Sequence, residues 1–242
     1  MSKTAKFQEA IEKGYTFKGD SITLGGGKLG DETVPNTHIK VPLKTLNRHG
    51  LIAGATGTGK TKSLQVIAEQ LSLKGVPSLL MDIKGDLSGL AAPGSNNDFI
   101  TNRHAGIGLP YEPMALPVEL MTISNGDGTR LKATITEFGP VLLSKILGLN
   151  DTQSSVISLI FVFADKKKLP IIDLKDLRKM LQYVINDGKA EIAEEYGAVA
   201  SSTVNTIMRK VIELEQQGAE TFFGERSFDP NDLLRKDENG NG

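Results

Sequence analysis

Between residues 51 and 82 the apolar positions change period twice. Leu51-Ile52-Ala53 is a short apolar run suited to a strand buried on both faces. Leu64, Ile67, Ala68 and Leu71 then fall on one helical face, and Gly75 stands where a helix would stop. Val76-Pro77-Ser78-Leu79-Leu80-Met81-Asp82 returns to a buried-strand pattern and ends in a carboxylate. Strand, helix and strand over this span predict a βαβ unit with a right-handed crossover.

Upstream, residues 6–13 predict a short helix with Phe7, Ala10 and Ile11 on one side, closed by Gly14. Ser21–Leu24 and His38–Val41 alternate like half-buried strands, with turn signals at Gly25–Gly27 and Pro35-Asn36. Downstream, Ala91–Pro117 lacks any period and predicts a long loop. Val118–Ile123 and Leu131–Ile135 follow as strands, with Ser124-Asn125-Gly126-Asp127-Gly128 as their hairpin turn. The remainder is helical. Gly139-Pro140 opens a helix bearing Val141, Leu142, Leu143, Ile146 and Leu147, which Gly148 closes. Asp151 is the expected cap of a second, with Val156, Leu159, Ile160 and Phe163 inward and Ile157 and Phe161 widening the stripe. Asp173 caps a third, with Leu174, Leu177, Leu181 and Val184 in register, and a fourth behind Ser201 and Ser202 carries Val204, Ile207, Met208, Val211 and Ile212. The pattern gives three regions: 1–47, a short helix and small β-rich part; 48–138, an α/β core with a hairpin; and 139–242, a helical subdomain.

Composition removes several classes of function. The 242 residues include no cysteine and three scattered histidines, which excludes disulfides and Cys-ligated zinc. Charged residues are 24% and the formal net charge is −1, so no global basicity advertises nucleic acid, although a locally basic groove remains compatible with it. Met1–Lys6 has no apolar signal core, and the run from Val156 to Ala164 is too short for a bilayer. The expectation is a cytoplasmic protein with no membrane partner.

The chemistry concentrates between the first predicted strand and its helix. Gly54-Ala55-Thr56-Gly57-Thr58-Gly59-Lys60-Thr61 fits the phosphate-loop pattern G-x-x-x-x-G-K-[ST] at every fixed position. Ordinary residue frequencies produce that pattern in roughly one chain in a hundred of this length, before strand and helix are required around it. The glycines let backbone N–H groups approach phosphate oxygens, and the helix from Lys60 through Lys62 onward points its N-terminal dipole at the same anion. Lys60 supplies an ammonium to the outer phosphates, and the Thr61 hydroxyl is a ligand for accompanying Mg²⁺. Asp82, beyond the carboxyl end of the second strand, is the candidate metal carboxylate and, with Lys60, the candidate catalytic residue. Its alternative reading is a turn or helix-capping carboxylate. An NTPase must also orient a water, and no buried strand after residue 118 ends in Asp-Glu. Glu194-Glu195 and Asp165 fall in helical segments as solvated charges. The chain is equipped to bind nucleotide and poorly equipped to hydrolyse it alone.

Arg48-His49-Gly50-Leu51-Ile52-Ala53 ahead of the loop, then Leu79-Leu80-Met81-Asp82-Ile83-Lys84-Gly85-Asp86, resembles the HerA/FtsK group of DNA-pumping ATPases. Thr134–Pro140, Leu149–Gln153 and Asp173–Leu177 look more specifically like the bacterial HerA-like proteins. The resemblance implies a RecA-like P-loop fold with a helical insertion, ATP and Mg²⁺ as ligands, a hexameric ring and double-stranded DNA as partner. It also implies a longer protein, of which this chain is the expected N-terminal part, ending before an Asp-Glu strand. Two other readings stand beside the motor: an NTP-dependent small-molecule kinase or transferase using Asp82, and a nucleotide-binding regulator without turnover.

Overall fold

The computed structural model describes residues 1–242. The chain divides into two compact units, Met1–Glu119 with Pro230–Gly242, and Leu120–Asp229.

In the first unit, α1 (Lys3–Tyr15) starts at Ser2, whose hydroxyl accepts the Ala5 N–H at 3.1 Å. β1 (Ser21–Leu29) and β2 (Glu32–Pro42) form an antiparallel hairpin, with Ile22 opposite Val41 and Leu29 opposite Glu32. Both turn signals expected here lie inside strands. Gly25–Gly27 is absorbed by two irregularities of register, and Asn36 by a left-handed φ of 60°. Thr37 staples this irregular stretch: its buried hydroxyl donates to the Val34 carbonyl at 2.6 Å and accepts the Gly27 N–H at 3.0 Å. The reversal is instead at Gly30, where φ is +63°.

α2 (Lys60–Leu73) packs on β1 through a two-way bond: the Gln70 amide accepts the Thr23 N–H at 2.6 Å and donates to the Thr23 carbonyl at 2.5 Å. The stretch expected to be one long loop contains α3 (Asp98–Ile107), capped by Asn97 and ended by Gly108 at φ +69°. Its apolar residues do not form a stripe, and Phe99 is 74% exposed, so hydrophobic periodicity carried no sign of it.

The predicted strands at Leu51–Ala53 and Val76–Asp82 are not formed. Leu51, Leu79, Met81 and Ile83 are 89%, 69%, 82% and 98% exposed. A buried parallel strand needs neighbours along its edges and cover on its faces. The only sheet in this unit is the β1–β2 hairpin, and neither the βαβ crossover nor a RecA-like parallel core is shown.

The second unit begins with β3 (Met121–Thr122) and β4 (Thr129–Arg130), paired parallel, where the sequence predicted an antiparallel hairpin. The expected second strand, Leu131–Ile135, is diverted. Ala133 exchanges backbone hydrogen bonds with Phe222 and Gly224, and a Thr134/Glu137 capping box turns the chain into α4 (Ile135–Phe138).

Then come α5 (Pro140–Ile146), α6 (Asp151–Lys166), α7 (Leu174–Ile185), α8 (Lys189–Tyr196) and α9 (Ser201–Gln216). Asn150, one residue before the expected Asp151, caps α6 in a reciprocal box with Gln153, while Asp173 caps α7 as expected. Ser201 and Ser202 are the first helical residues of α9, not its cap. One apolar core joins these helices: Ile157 and Ile160 of α6, Leu177 and Leu181 of α7, and Val204 and Ile207 of α9 are all fully buried. Each such side chain contributes about 1.5–3 kcal/mol of transfer free energy. No helix is long and apolar enough to cross a membrane.

Candidate functional site

The sequence places its chemistry in the first unit, on the loop entering α2. Gly57 and Gly59 have φ of +83° and +92°, left-handed values that residues with a Cβ adopt at a cost. A Cβ on Gly54 would meet the Thr58 hydroxyl at 2.5 Å and displace it from its bond to the Ala55 carbonyl. Inside the loop the Ala55 carbonyl is the common acceptor: Thr58 Oγ1 donates to it at 2.8 Å and Lys60 Nζ at 2.7 Å. Thr56 and Thr61 are exposed at the loop surface, as is Lys62 on the first turn of α2.

No side chain caps α2, whose N-cap is Gly59. Ser63 is the first residue to bond back to the loop, through its N–H to the Gly59 carbonyl at 2.9 Å. The N–H groups of Gly57, Gly59, Lys60, Thr61 and Lys62 meet no protein acceptor. These exposed donors, with the positive end of the helix behind them, suit a multiply charged anion.

Asp82 lies in an exposed turn rather than at a strand end. Its Oδ1 accepts N–H groups from Lys84 (3.2 Å), Gly85 (2.8 Å) and Asp86 (3.2 Å), and its Oδ2 accepts that of Leu87 (2.8 Å). The Leu87 N–H, then those of Gly85, Lys84 and Asp86, hold the carboxyl below its ordinary range. A carboxylate offers about four lone-pair directions, so the capacity left lies mainly on Oδ2. The turn is also joined to α2, because Gln65 Nε2 donates to the Asp86 carbonyl at 2.7 Å. Nothing in the apolar pattern singles out Gln65: it is a polar residue within an amphipathic helix, and only the folded turn gives it a partner.

Glu137 is a second perturbed carboxylate, in the helical unit. Hydrogen bonds from the Thr134 backbone and hydroxyl, then the nearby Arg226 guanidinium, lower its pKa. The T-x-x-E spacing of Thr134 and Glu137 is the sequence signature of this capping box. The helical unit also has a cleft of about 360 Å³ lined by Phe163, Lys167, Leu169, Lys179, Met180 and Tyr183. No group of three or more His, Cys, Asp or Glu side chains is placed to hold a metal.

A glycine loop with bare backbone donors, followed by a helix that starts at Lys-Thr, defines the chain as one of mixed α/β architecture carrying a phosphate-loop sequence. The family described as Helicase HerA-like C-terminal matches residues 28–242, and the chain belongs to that family. No curated protein and no solved structure was found to match it.

Proposed function

We propose that the chain is a nucleotide-binding module of a HerA-like, ATP-driven DNA translocase, holding MgATP on the loop Gly54–Thr61. The observation that carries this reading is the set of free N–H groups of Gly57, Gly59, Lys60, Thr61 and Lys62 at the uncapped start of α2. The phosphates accept from those donors, and Lys60 exchanges the Ala55 carbonyl for a phosphate oxygen. The Thr61 hydroxyl is the candidate Mg²⁺ ligand. Asp82, already receiving four N–H groups, would hold the ion through a water. MgATP, when bound, supplies the phosphoanhydride whose hydrolysis drives such motors.

The finer architecture is part of the same proposal. In a RecA-like sheet, residues 51–53 and 76–82 serve as strands, and the exposed apolar side chains of Leu51, Leu79 and Met81 support that use. A homo-oligomer, a hexamer by analogy, and duplex DNA as the translocated substrate complete the proposal.

Hydrogen exchange with and without MgATP tests the site directly. Bound triphosphate should slow the amides of Gly57, Gly59 and Thr61, and Lys60→Ala should remove the effect. Equal exchange in all samples would defeat the proposal. Turnover stimulated by duplex DNA separates a motor from a small-molecule kinase, which would instead phosphorylate a soluble acceptor without responding to DNA.

A further inference from the structure

One side chain ties the Asp82 turn to the helix behind the phosphate loop. Gln65 lies five residues beyond Lys60 on α2, and its Nε2 donates to the Asp86 carbonyl at 2.7 Å. Asp86 is therefore held from both sides, because its N–H goes to Asp82 Oδ1 at 3.2 Å. The next residue, Leu87, is buried and gives its N–H to Asp82 Oδ2 at 2.8 Å. Further along α2, Gln70 fixes the helix independently through its paired bonds to Thr23. The helix is thus a short rod with the glycine loop at its start, Gln65 on its second turn and a separate anchor near its end.

We propose that Gln65 is a positioning residue that registers the Asp82 turn on α2, so that anion capture at the Lys60 end is transmitted to the Asp82 carboxylate. This rests on the nucleotide site proposed above. Three donors occupy Oδ1 and one occupies Oδ2, so Gln65 sets where the less occupied oxygen stands relative to the helix. The link requires a donor. Gln65→Glu keeps the length and sets a carboxylate against the Asp86 carbonyl, which breaks it. Gln65→Arg supplies N–H groups again and restores it.

The experiment follows amide exchange at Gly85 and Leu87 in the wild type, Gln65→Glu, Gln65→Arg and Lys60→Ala, each with and without MgATP, beside a binding titration. Without nucleotide, Gln65→Glu should exchange roughly five-fold faster, the effect of losing one hydrogen bond, and Gln65→Arg should match the wild type. MgATP should change exchange at these amides in the wild type and Gln65→Arg only, with Gln65→Glu compared at MgATP concentrations that the titration shows to saturate it. Unchanged exchange in nucleotide-free Gln65→Glu would overturn the link itself. A nucleotide response that survives in Gln65→Glu would overturn transmission through it. If the titration shows no MgATP binding to the wild type, the site reading and the transmission both fail, while the nucleotide-free samples still decide the Gln65 bond.

Discussion

At the scale of single residues, the glycine loop and the Asp82 turn differ in how far they were legible. Lys60 and Thr61 stand in a pattern whose chemistry is local: small residues for close approach, then an ammonium and a hydroxyl at the start of a helix. The structure adds the left-handed glycines and the unpaired N–H groups. Asp82 was ambiguous because an acid after an apolar run ends a strand and caps a turn equally well, and its four backbone donors exist only after folding. Those donors set a pH dependence. A carboxyl whose pKa is lowered by folding stabilises the turn fully above the unfolded value, and that stability fades as pH falls through the lowered one. Protection of the Gly85 amide, corrected for intrinsic exchange, should therefore be flat from neutrality to about pH 4 and decline below it. Asp82→Asn should show weakened protection at neutral pH. Full protection in that variant would mean the charge does not hold the turn.

Among the elements, helices were read well where a stripe and a cap agreed. Leu174, Leu177, Leu181 and Val184 of α7 are all buried, behind the cap expected at Asp173. Helix α3 and the capping boxes at Thr134 and Asn150 were missed. Their signals are polar side chains bonding to nearby backbone, outside the hydrophobic period. The predicted strands 51–53 and 76–82 failed for the opposite reason. Their local pattern is strong, but a strand is an element only with partners, and none of the first unit's strands pairs with them. Packing in the helical unit gives two tests. Leu177→Ala removes a fully buried side chain and should cost about 2–5 kcal/mol in chemical denaturation. Gly188→Ala places a Cβ 2.1 Å from the Tyr183 ring, which stacks on Phe163 and donates its hydroxyl hydrogen to Glu191. With the ring so held, the variant should lose about 1–3 kcal/mol. Wild-type stability in Gly188→Ala would show that the ring swings freely.

For the whole molecule, the family assignment covers residues 28–242, while the motor reading depends on assembly. A net charge of −1 and 5% aromatic residues give no general attraction for nucleic acid, so the proposed motor would need a local DNA surface built by assembly. Sedimentation should show MgATP-dependent association, and that association should be lost with Lys60→Ala. A monomer under all conditions would contradict the oligomeric part of the proposal. The proposed function rests on one event, the capture of a triphosphate by the loop Gly54–Thr61. The most direct measurement is a calorimetric titration of MgATP into the wild type and Lys60→Ala. Saturable binding, weakened roughly 10- to 100-fold by loss of the ammonium, is the predicted result. Equal affinity in the two proteins, or no binding to either, would contradict it.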